Sequence, residues 1–363
     1  MISTYYVKKL ELRIKDTLIR FIWCSISPLV PLRDFEIKCS IILTIYKRTE
    51  FVEQALDSLE NQSVDKNLFE VLIISNIELK LSKTYNLNMQ IIISDQLSLA
   101  GKIASGILLA RNEVVTFLED DDLYCKDRIE HILRSFRDNK DLDYYHNRAV
   151  HFRALTFLLK KPKICSVKSA QVLLDNKDKN DGDITKATEY KLNKYQADYN
   201  LSSMAFRRTF ISNYIEILSD LGTRYIDSFV FSVALYKGNS IIIDLRTDTL
   251  IRTHSLNASQ AVETAEGPEK IVRYSKDMEK LKIAFDKMEI SGRRFVQHFT
   301  LSRGLDDLMK GGNIPRLEVA SSLTRLLKVY GKYFFKGDVS IKAIIYIISR
   351  DLMRILVSKF HNL

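Results

Sequence analysis

Four consecutive acidic residues close a short apolar stretch in the first third of the chain. Residues 114–118 read Val-Val-Thr-Phe-Leu and lead directly into Glu119, Asp120, Asp121 and Asp122. Four carboxylates at the end of a buried strand repel one another. Removing each one from water costs several kcal/mol unless a partner offsets this desolvation cost. A divalent cation with oxygen ligands is such a partner, and it usually serves a phosphate-bearing substrate. The pattern therefore predicts a metal site.

The same residues fit a second interpretation, in which they are a solvated helix cap. A run with helical spacing follows at 127–137, and acidic side chains favour helix N-termini because of the helix dipole. From these residues alone, the metal site and the helix cap both stay open.

The elements around the acidic run alternate between strands and helices. The predicted strands occupy 39–45, 69–75, 89–94 and 114–118, and the predicted helices 49–62, 99–111 and 127–137. Near-continuous apolar strands that alternate with helices are typical of a parallel sheet covered on both faces. In such sheets ligands bind beyond the carboxyl ends of the strands, which is where the acidic run lies. The predicted fold class is α/β, with a Rossmann-like, mostly parallel sheet flanked by helices.

The second half of the chain has a mixed pattern. The predicted strands are 142–152, 201–206, 240–244 and 250–253, the predicted helices 224–237 and 270–288, and a polar loop is expected at 175–185.

The bulk composition indicates a globular protein with an excess of basic residues. The 363-residue chain is 46% hydrophobic and 28% charged, and its formal net charge is +10. That length allows one large core or two modest ones. A basic balance favours anionic partners: phosphorylated substrates, acidic membrane surfaces or nucleic acid. We do not expect nucleic acid as the partner, because the basic residues are not interleaved with aromatic ones as in a recognised binding module.

Cysteine spacing and apolar segments bear on the compartment. The four cysteines, Cys24, Cys39, Cys125 and Cys165, form no CxxC pair or zinc-like spacing, which predicts reduced thiols in an intracellular protein. The apolar segment at 18–30 is interrupted by a basic residue and lacks a signal-peptide cleavage site. No stretch reaches the ~20 apolar residues that span a bilayer. We therefore expect a cytoplasmic protein, either free or at the inner face of the membrane.

Seven short stretches carry a more specific signal. They are 41–48 (Ile-Ile-Leu-Thr-Ile-Tyr-Lys-Arg), 56–62 (Leu-Asp-Ser-Leu-Glu-Asn-Gln), 99–111 (Leu-Ala-Gly-Lys-Ile-Ala-Ser-Gly-Ile-Leu-Leu-Ala-Arg), 117–122 (Phe-Leu-Glu-Asp-Asp-Asp), 201–208 (Leu-Ser-Ser-Met-Ala-Phe-Arg-Arg), 225–227 (Tyr-Ile-Asp) followed by Gly238, and 252–259 (Arg-Thr-His-Ser-Leu-Asn-Ala-Ser). Their order and spacing resemble the family 2 glycosyltransferases of GT-A fold, over about residues 38–260. The resemblance implies a GT-A domain that uses a nucleotide-sugar donor.

The resemblance also implies a divalent cation, Mn²⁺ or Mg²⁺, at the acidic run. In the family, the last acid of the DxD-type motif contacts the metal, and it corresponds to Asp121. The first acid, here Glu119, lies near the ribose. Asp122 is expected either to add a second metal oxygen or to cap the helix. His254, within Arg-x-His-x-x-Asn-x-Ser, is the expected third ligand through a neutral imidazole nitrogen.

A further set of residues is implied in donor binding. They are Thr44, Tyr46, Arg48, Ser75, Asn76, Asp95, Lys102, Glu119 and Asp120. Tyr46 is expected near the base. Ser75 and Asn76 stand where the family often has an Asp that contacts the nucleobase, so Asp95 is a candidate substitute. Lys102 is expected either near the diphosphate or on a solvated helix face.

Asp227 is the candidate catalytic base. An inverting transferase needs a base to take the proton of the acceptor hydroxyl as it attacks. The family usually has an acidic pair at this place, whereas this chain has Ile226-Asp227. A helix N-cap is the competing role for Asp227.

These assignments predict an inverting, metal-dependent glycosyltransferase of the EC 2.4 class. It would move a sugar from a UDP- or GDP-sugar to a hydroxyl of a glycan, a lipid-linked glycan or a protein-linked glycan. The alternative is a catalytically weak family member that serves as a nucleotide- or glycan-binding or membrane-associated subunit. The lone acid at Asp227 and the Ser75-Asn76 change motivate that alternative.

Three domains are expected along the chain. They are a basic helical leader at 1–36, a catalytic domain at 37–260 with a nucleotide-sugar half (37–140) and an acceptor half (141–260), and a helical C-terminal region at 261–363. Apolar and basic residues recur at helical spacing in 340–360. That stripe fits either peripheral membrane association or packing on the core or on a second copy in a homo-oligomer.

Overall fold

The structure is a computed structural model, and it describes part of the chain. The described residues are 37–46, 48–94, 98–153, 171–175, 179–180, 183–184, 192, 194–223, 225–254, 268–290, 325 and 328. The predicted leader at 1–36, Asp95 and the stripe at 340–360 lie outside them. Two compact units are present: 1–221 with 225–254, and 222–224 with 255–363.

Among the described residues, the first unit contains every strand and most of the helices. The strands are β1 (Cys39–Ile45), β2 (Phe69–Ser75), β3 (Met89–Ile93), β4 (Val114–Glu119), β5 (Leu123–Tyr124), β6 (Leu142–Phe152), β7 (Gln171–Asp175), β8 (Lys179–Asn180), β9 (Asp183–Ile184), β10 (Met204–Arg207) and β11 (Ser240–Arg252). The α-helices are α1 (Val52–Glu60), α2 (Leu99–Leu109), α3 (Arg128–Asp138), α4 (Arg208–Ile211), α5 (Ile215–Ser219), α6 (Ile226–Lys237) and, in the second unit, α7 (Pro268–Lys287).

Nine of these strands form one sheet in the order β3-β2-β1-β4-β10-β6-β11-β5, and β7 also pairs with β11. Strands β3, β2, β1 and β4 are parallel, whereas β10 runs antiparallel to its neighbours. The chain moves from β1 outward through β2 to β3 and then returns to place β4 on the other side of β1. Sheets of this kind bind ligands at such a switch point, beyond the strands' carboxyl ends.

The core of this sheet is apolar and closely packed. Strands β1 and β2 are buried along their whole length. Helix α1 is amphipathic and buries Ala55, Leu56 and Leu59. Helix α2 packs close to β1 because of Gly106, where an added Cβ would lie 2.5 Å from Cγ2 of Ile42. The α2 segment therefore has a fixed position beside the end of β1.

The predicted fold class is confirmed, and three predicted strands (39–45, 69–75 and 142–152) match the structure to the residue. The prediction was wrong about 240–253, where a single strand, β11, replaces two short ones. The middle of β11 is polar, so its sequence does not have the apolar pattern of a strand. Its acidic residues are buried in pairs, Asp244 with Arg246 and Asp248 with His131. The predicted strand at 201–206 begins as a 3₁₀ turn, Leu201–Ser203. The expected loop at 175–185 contains the pair β8–β9.

One cysteine departs from the expectation of reduced thiols. Cys39 is free and buried, whereas Cys125 is disulfide-bonded. Reduced thiols therefore do not describe all four cysteines.

The second unit is helical where it is described. Helix α7 buries Met278, Leu281 and Phe285, and Arg325 forms an ion pair with Glu279 at 3.1 Å. Within the described ranges, we find no helix that is long and apolar enough to cross a membrane.

Candidate active site

Four ionisable side chains converge beyond the carboxyl ends of β1 and β4. Arg48 Nη2 donates to Asp120 Oδ1 at 2.7 Å and to Asp121 Oδ2 at 2.9 Å. Nε2 of His254, two residues beyond the end of β11, lies 2.9 Å from Asp121 Oδ2. The two aspartates are only 5% and 7% exposed. Three segments that are distant in sequence thus bring predicted site residues into one nearly buried cluster.

The contacts of His254 cannot all be satisfied within this cluster. Its Nε2 lies 3.0 Å from Arg48 Nη1 and 2.9 Å from Asp121 Oδ2. A guanidinium offers only donors and an ionised carboxylate only acceptors. If Nε2 is an acceptor, it can accept from Arg48 but meets a second acceptor in the Asp121 oxygen. If Nε2 carries a proton, it can donate to Asp121 but meets a second donor in Arg48. A positive ion held by both Nε2 and Oδ2 would satisfy these two atoms as acceptors.

The donor atoms of this pair suit a divalent cation. Ligands about 2.1 Å from an ion at right angles lie about 3 Å apart, close to the observed separation of Asp121 Oδ2 and His254 Nε2. In the part of the chain that the structure describes, no three His, Cys, Asp or Glu side chains form a complete metal site. Magnesium-type sites commonly use one or two protein ligands together with substrate phosphates and water. The residues therefore fit a cation that is shared with a phosphate ligand.

Arg252 holds the backbone of the acidic run in place. Its Nε donates to the Asp121 carbonyl at 3.0 Å, and its Nη2 donates to Gln54 Oε1 at 2.7 Å. The guanidinium also lies over two rings, with its Cζ 4.3 Å from the centroid of Phe51 and 4.6 Å from that of Phe152. Burial lowers the pKa of Arg252 to about 10, against the opposing effect of the nearby carboxylates. This arginine thus links α1, β6 and the acidic run.

The outer two acids of the run face a different partner, Asn200. Its Nδ2 donates to Asp122 Oδ2 at 3.3 Å and to Glu119 Oε2 at 3.4 Å. Asp122 Oδ1 also accepts the backbone N–H of Arg252 at 3.1 Å, and Ser202 Oγ accepts that of Glu119 at 3.0 Å. Asn200 has a φ of 66°, and its Oδ1 is buried with no partner. Strained backbone of this kind is concentrated at functional sites.

The helix-cap interpretation of the acidic run is wrong. Strand β5 separates the run from α3, which begins at Arg128. The N-cap of α3 is Asp127, whose side chain makes no capping bond. Asp122 instead accepts hydrogen bonds from residues that lie far away in the sequence.

Four ionised carboxylates in the acidic run are energetically unfavourable because the run is largely removed from water. Burial raises the pKa of Glu119 well above its usual range, and the neighbouring acids add to that effect. It raises the pKa of Asp120 to about 6, although Arg48 opposes this, and that of Asp122 to about 7, with Asp121 adding to the increase. Burial would lower the pKa of Arg48, but Asp120 and Asp121 outweigh it and the pKa is raised. Added positive charge would therefore bind favourably here.

Lys102 lies under the first turn of the site. Its Nζ donates to the Ile45 carbonyl at 2.5 Å and to Asn76 Oδ1 at 3.1 Å, and lies 4.8 Å from the ring centroid of Tyr46. Lys102 is 1% exposed, so the solvated-face alternative is wrong. Burial lowers its pKa to about 8, with Asp120 opposing the change. The structure thus brings together Tyr46, which is half exposed, Asn76 and Lys102.

Two further predicted donor residues, Thr44 and Ser75, lie along the same sheet edge. Thr44 is 7% exposed and pairs in register with Glu119. The Ser75 hydroxyl is used locally, since it donates to the Ile77 carbonyl at 2.7 Å and accepts the Ile77 N–H at 3.2 Å. Asp95 lies outside the described residues, as the fold description states.

Asp227 lies in the first turn of α6 and faces the acidic run. Its carboxylate accepts the backbone N–H groups of Ser228, at 2.8 Å, and of Asn200. Burial raises the pKa of Asp227 to about 6, with Asp198 acting in the same direction and the hydrogen bonds opposing. Asp227 in turn helps to raise the pKa of Glu119. Asn200 thus contacts the acidic run with its side chain and Asp227 with its backbone.

Two contributors were missed by sequence reasoning. Asn200 was not singled out, although it directly precedes the recognised stretch at 201–208. Gln54 was hidden within an amphipathic helix, where its polar side chain is buried against Arg252. Neither residue type carries a distinctive spacing. Only the three-dimensional arrangement identifies them.

Comparison with known families and structures gives a consistent result. The family model described as glycosyl transferase family 2 matches residues 40–211, which include the acidic run, Arg48 and Asn200. A search of curated proteins gave no match.

Solved structures with similar chains include two transferases. The crystal structure of S. aureus TarS 1–349 is 14% identical, with a TM-score of 0.49, over 81% of this chain and 89% of that one. A form of the same protein in complex with UDP-GlcNAc is 13% identical, with a TM-score of 0.48. The mannosyltransferase PcManGT from Pyrobaculum calidifontis, in complex with GDP-Man and Mn²⁺, is 11% identical, with a TM-score of 0.41 over 93% of each chain.

Proposed function

We propose that this chain, which belongs to glycosyl transferase family 2 through residues 40–211, is an inverting and metal-dependent nucleotide-sugar glycosyltransferase. Its sheet has the GT-A arrangement that the sequence predicted. The observation that carries the proposal is the cluster of Arg48, Asp120, Asp121 and His254 beyond the ends of β1 and β4. Its position at the switch point of the sheet is where a phosphate-bearing ligand is expected. The conflict at His254 Nε2 adds support for a cation.

In the proposed reaction, the acceptor hydroxyl oxygen attacks the anomeric carbon of the donor sugar. The bond from that carbon to the diphosphate oxygen breaks, and its electron pair leaves with the nucleoside diphosphate. Asp227 takes the hydroxyl proton, which a partly buried carboxylate with a pKa of about 6 is suited to accept. Attack on the face opposite the leaving group inverts the anomeric centre.

Each other residue binds or positions the donor. Asp121 and His254 would hold the divalent cation, Mn²⁺ or Mg²⁺, which when bound supplies Lewis-acid stabilisation of the leaving diphosphate. Arg48 adds fixed positive charge at the same point. Tyr46 and Asn76 would contact the nucleoside, and Glu119 the ribose. Lys102 would position the first turn and Asn76 beneath the donor, through its bonds to the Ile45 carbonyl and to Asn76.

We assign Asp122 the role of a positioning residue. Both of its oxygens already accept hydrogen bonds, from Arg252 and Asn200. It would therefore order the run around Asp121 rather than bind the cation itself.

A binding-only function is the competing proposal. It is supported by Asp227, which stands without the acidic neighbour that the family usually has, since Ile226 precedes it. In that case the protein would bind a nucleotide or glycan, at a membrane or in a complex, without turnover. Measuring donor turnover separates the two proposals.

The donor site is tested by isothermal titration of UDP, GDP and their sugar conjugates, each with and without Mn²⁺. We expect one nucleotide to bind only with the metal, and Asp121→Asn to weaken that binding by about 100-fold or more. Asp141→Asn, which changes an exposed carboxylate, is the matched control and should bind as the wild type does. A folded wild-type protein that binds no nucleotide with metal present would overturn the proposed function.

A further inference from the structure

A cavity of about 220 Å³ opens beside β6, in the part of the first unit that follows the donor-binding elements. It is lined by His146, Arg148, Lys194, Tyr195, Gln196 and Tyr199. None of these residues belongs to the cluster around Asp121. The cavity therefore needs an explanation of its own.

The segment that forms one wall is fastened to β6 by side-chain hydrogen bonds. The Tyr144 hydroxyl donates to the Ala197 carbonyl at 2.7 Å, and His146 Nε2 lies 3.0 Å from the Tyr199 carbonyl. Gln196 has a φ of 50°, in the left-handed region, which costs energy for a residue with a side chain. A strained segment that is held by buried bonds indicates a built cavity rather than a gap between loops.

His146 presents an unused hydrogen-bond acceptor. Because Nε2 faces a carbonyl oxygen, it carries the proton, which leaves the lone pair on Nδ1. Nδ1 is buried with no partner, and the residue is 2% exposed. Burial lowers the pKa of His146 to about 4, so the ring stays neutral near pH 7. A buried acceptor without a donor is costly, so this wall of the cavity is held at some energetic expense.

The rim of the cavity adds positive charge and aromatic surface. Arg148 and Lys194 are exposed basic side chains, and Lys194 Nζ lies 5.4 Å from the ring centroid of Tyr195. Asp198 is close enough to affect His146, so the two cations are partly offset. Arg148 and Lys194 line the cavity itself, so an anionic group would bind beside these two side chains.

Tyr199 connects this cavity to the acidic run. Burial raises the pKa of Tyr199 to about 12, and Asp122, Asp227 and Glu119 add to the increase. Its hydroxyl also contacts His151 Nε2 at 3.2 Å. The next residue, Asn200, binds both Asp122 and Glu119. A ligand in the cavity would therefore lie near the proposed base, Asp227.

We infer that this cavity binds an acceptor sugar unit that carries an anionic group, a phosphate or a carboxylate. The sugar ring would pack against Tyr195 and Tyr199, and the anionic group would meet Arg148 and Lys194. The inference rests on the proposed function, because it treats the cavity as the acceptor side of the same site.

The test measures binding of small probes to the full chain in the presence of Mg²⁺ and the nucleoside diphosphate that binds in the titration above. The probes are glucose 6-phosphate, glucuronate, uncharged methyl glucoside and inorganic phosphate. Ligand-observed NMR measures the binding of each probe. We expect both anionic sugars to bind about tenfold or more tightly than methyl glucoside and than inorganic phosphate.

Two double variants with the same change in charge locate the effect. Arg148→Gln with Lys194→Gln should weaken both anionic sugars by about tenfold or more. Lys80→Gln with Lys140→Gln, two exposed lysines away from the cavity, should leave them within about twofold. Both variants should bind the nucleotide like the wild type.

Two outcomes overturn the inference. If no anionic sugar binds, or if the two double variants have equal effects, the cavity is not an anionic-sugar site. When nucleotide binding persists in that experiment, only the cavity inference fails. Loss of nucleotide binding in the wild type, in contrast, is the failure of the proposed function itself.

Discussion

Residues 37–140 and residues 141–254 build one sheet in two different ways. In the first region, β1 to β4 are short strands, and their parallel neighbours lie next to one another. In the second region, β6 and β11 span 11 and 13 residues and include buried charges. Strand β10 inserts antiparallel between β4 and β6. The first region places Arg48 and the acidic run at the ends of neighbouring parallel strands, whereas the second places His254, Asp227 and the basic cavity by long-range pairing.

The charge of the two regions differs in the same way. Beyond β4, carboxylates crowd together and need added positive charge. Beside β6, Arg148 and Lys194 flank a cavity with an unused acceptor on His146. Tyr199 lines the cavity, and the next residue, Asn200, binds the acidic run. This arrangement suits an enzyme that holds a donor through a cation on one side and a charged acceptor on the other.

The largest expected effect separates donor binding from transfer. Asp227→Asn keeps the size of the side chain but removes the proposed base, so transfer should fall by about 10²- to 10⁴-fold. Nucleotide affinity should change little, because Asp227 does not contact the cluster of Arg48 and Asp121. Titration of the nucleotide and a transfer assay on the same preparation check both statements. Equal loss of binding and transfer would mean that the two regions do not act separately.

The pH dependence of transfer should report on the same residue. Burial raises the pKa of Asp227 to about 6, and a base works only in its ionised form. Transfer at saturating donor should therefore rise about tenfold per pH unit below that value and level off above it. The measurement is a rate profile from pH 4.5 to 8. A flat profile across pH 6 would contradict the role of Asp227.

Asn200→Asp tests the residue that joins the two regions. The substitution adds a carboxylate 3.3–3.4 Å from those of Asp122 and Glu119. We expect the free energy of unfolding to fall by about 1–3 kcal/mol at pH 8. These acids have raised pKa values in the folded state, so ionisation destabilises the fold as pH rises. The loss should therefore be smaller at pH 5, which urea unfolding at both pH values measures.

Asn200→Gly serves as the control for backbone strain. Glycine adopts the positive φ of this position without cost, so this variant loses only the side-chain hydrogen bonds. Its deficit should not depend on pH in the same way. If Asn200→Gly and Asn200→Asp behave alike at both pH values, crowding of carboxylates does not explain the effect.

The smallest expected effect is confined to the first region. Gly106→Ala would place a Cβ 2.5 Å from Ile42 Cγ2, and overpacking of this kind costs about 1–3 kcal/mol. Ile42→Ala removes the opposing atoms, so the double variant should lose less stability than the sum of the two single variants. Urea unfolding of all three variants provides the coupling energy. Additive losses would show that α2 does not pack against β1 as described.

The two regions also differ in how far sequence could predict them. Apolar runs at 39–45 and 69–75 need no distant partner to be recognised, and both strands match. Strand β11 was divided because Asp244, Arg246 and Asp248 interrupt its apolar pattern. Their charges are neutralised by partners that only folding brings near. A local pattern cannot reveal such a pairing.

The same limit applies to the candidate site. Arg48, Asp121 and His254 were selected by resemblance, and the structure brings them together. The resemblance could not reveal that Asn200 contacts both the acidic run and Asp227, because asparagine has no distinctive spacing. It also did not indicate the cavity, whose lining comes from β6 and a strained turn. Those features depend on side-chain geometry at contacts far apart in sequence.

The central claim is that Asp121 and His254 together hold one cation for a nucleoside diphosphate. Electron spin echo envelope modulation of Mn²⁺, bound with UDP or GDP, tests it directly because the signal detects nitrogen ligands. We expect a histidine nitrogen coupling in the wild type that is absent in His254→Gln, and that Asp121→Asn loses bound Mn²⁺. Tightly bound Mn²⁺ with no nitrogen coupling, or a coupling that persists in His254→Gln, would contradict the account.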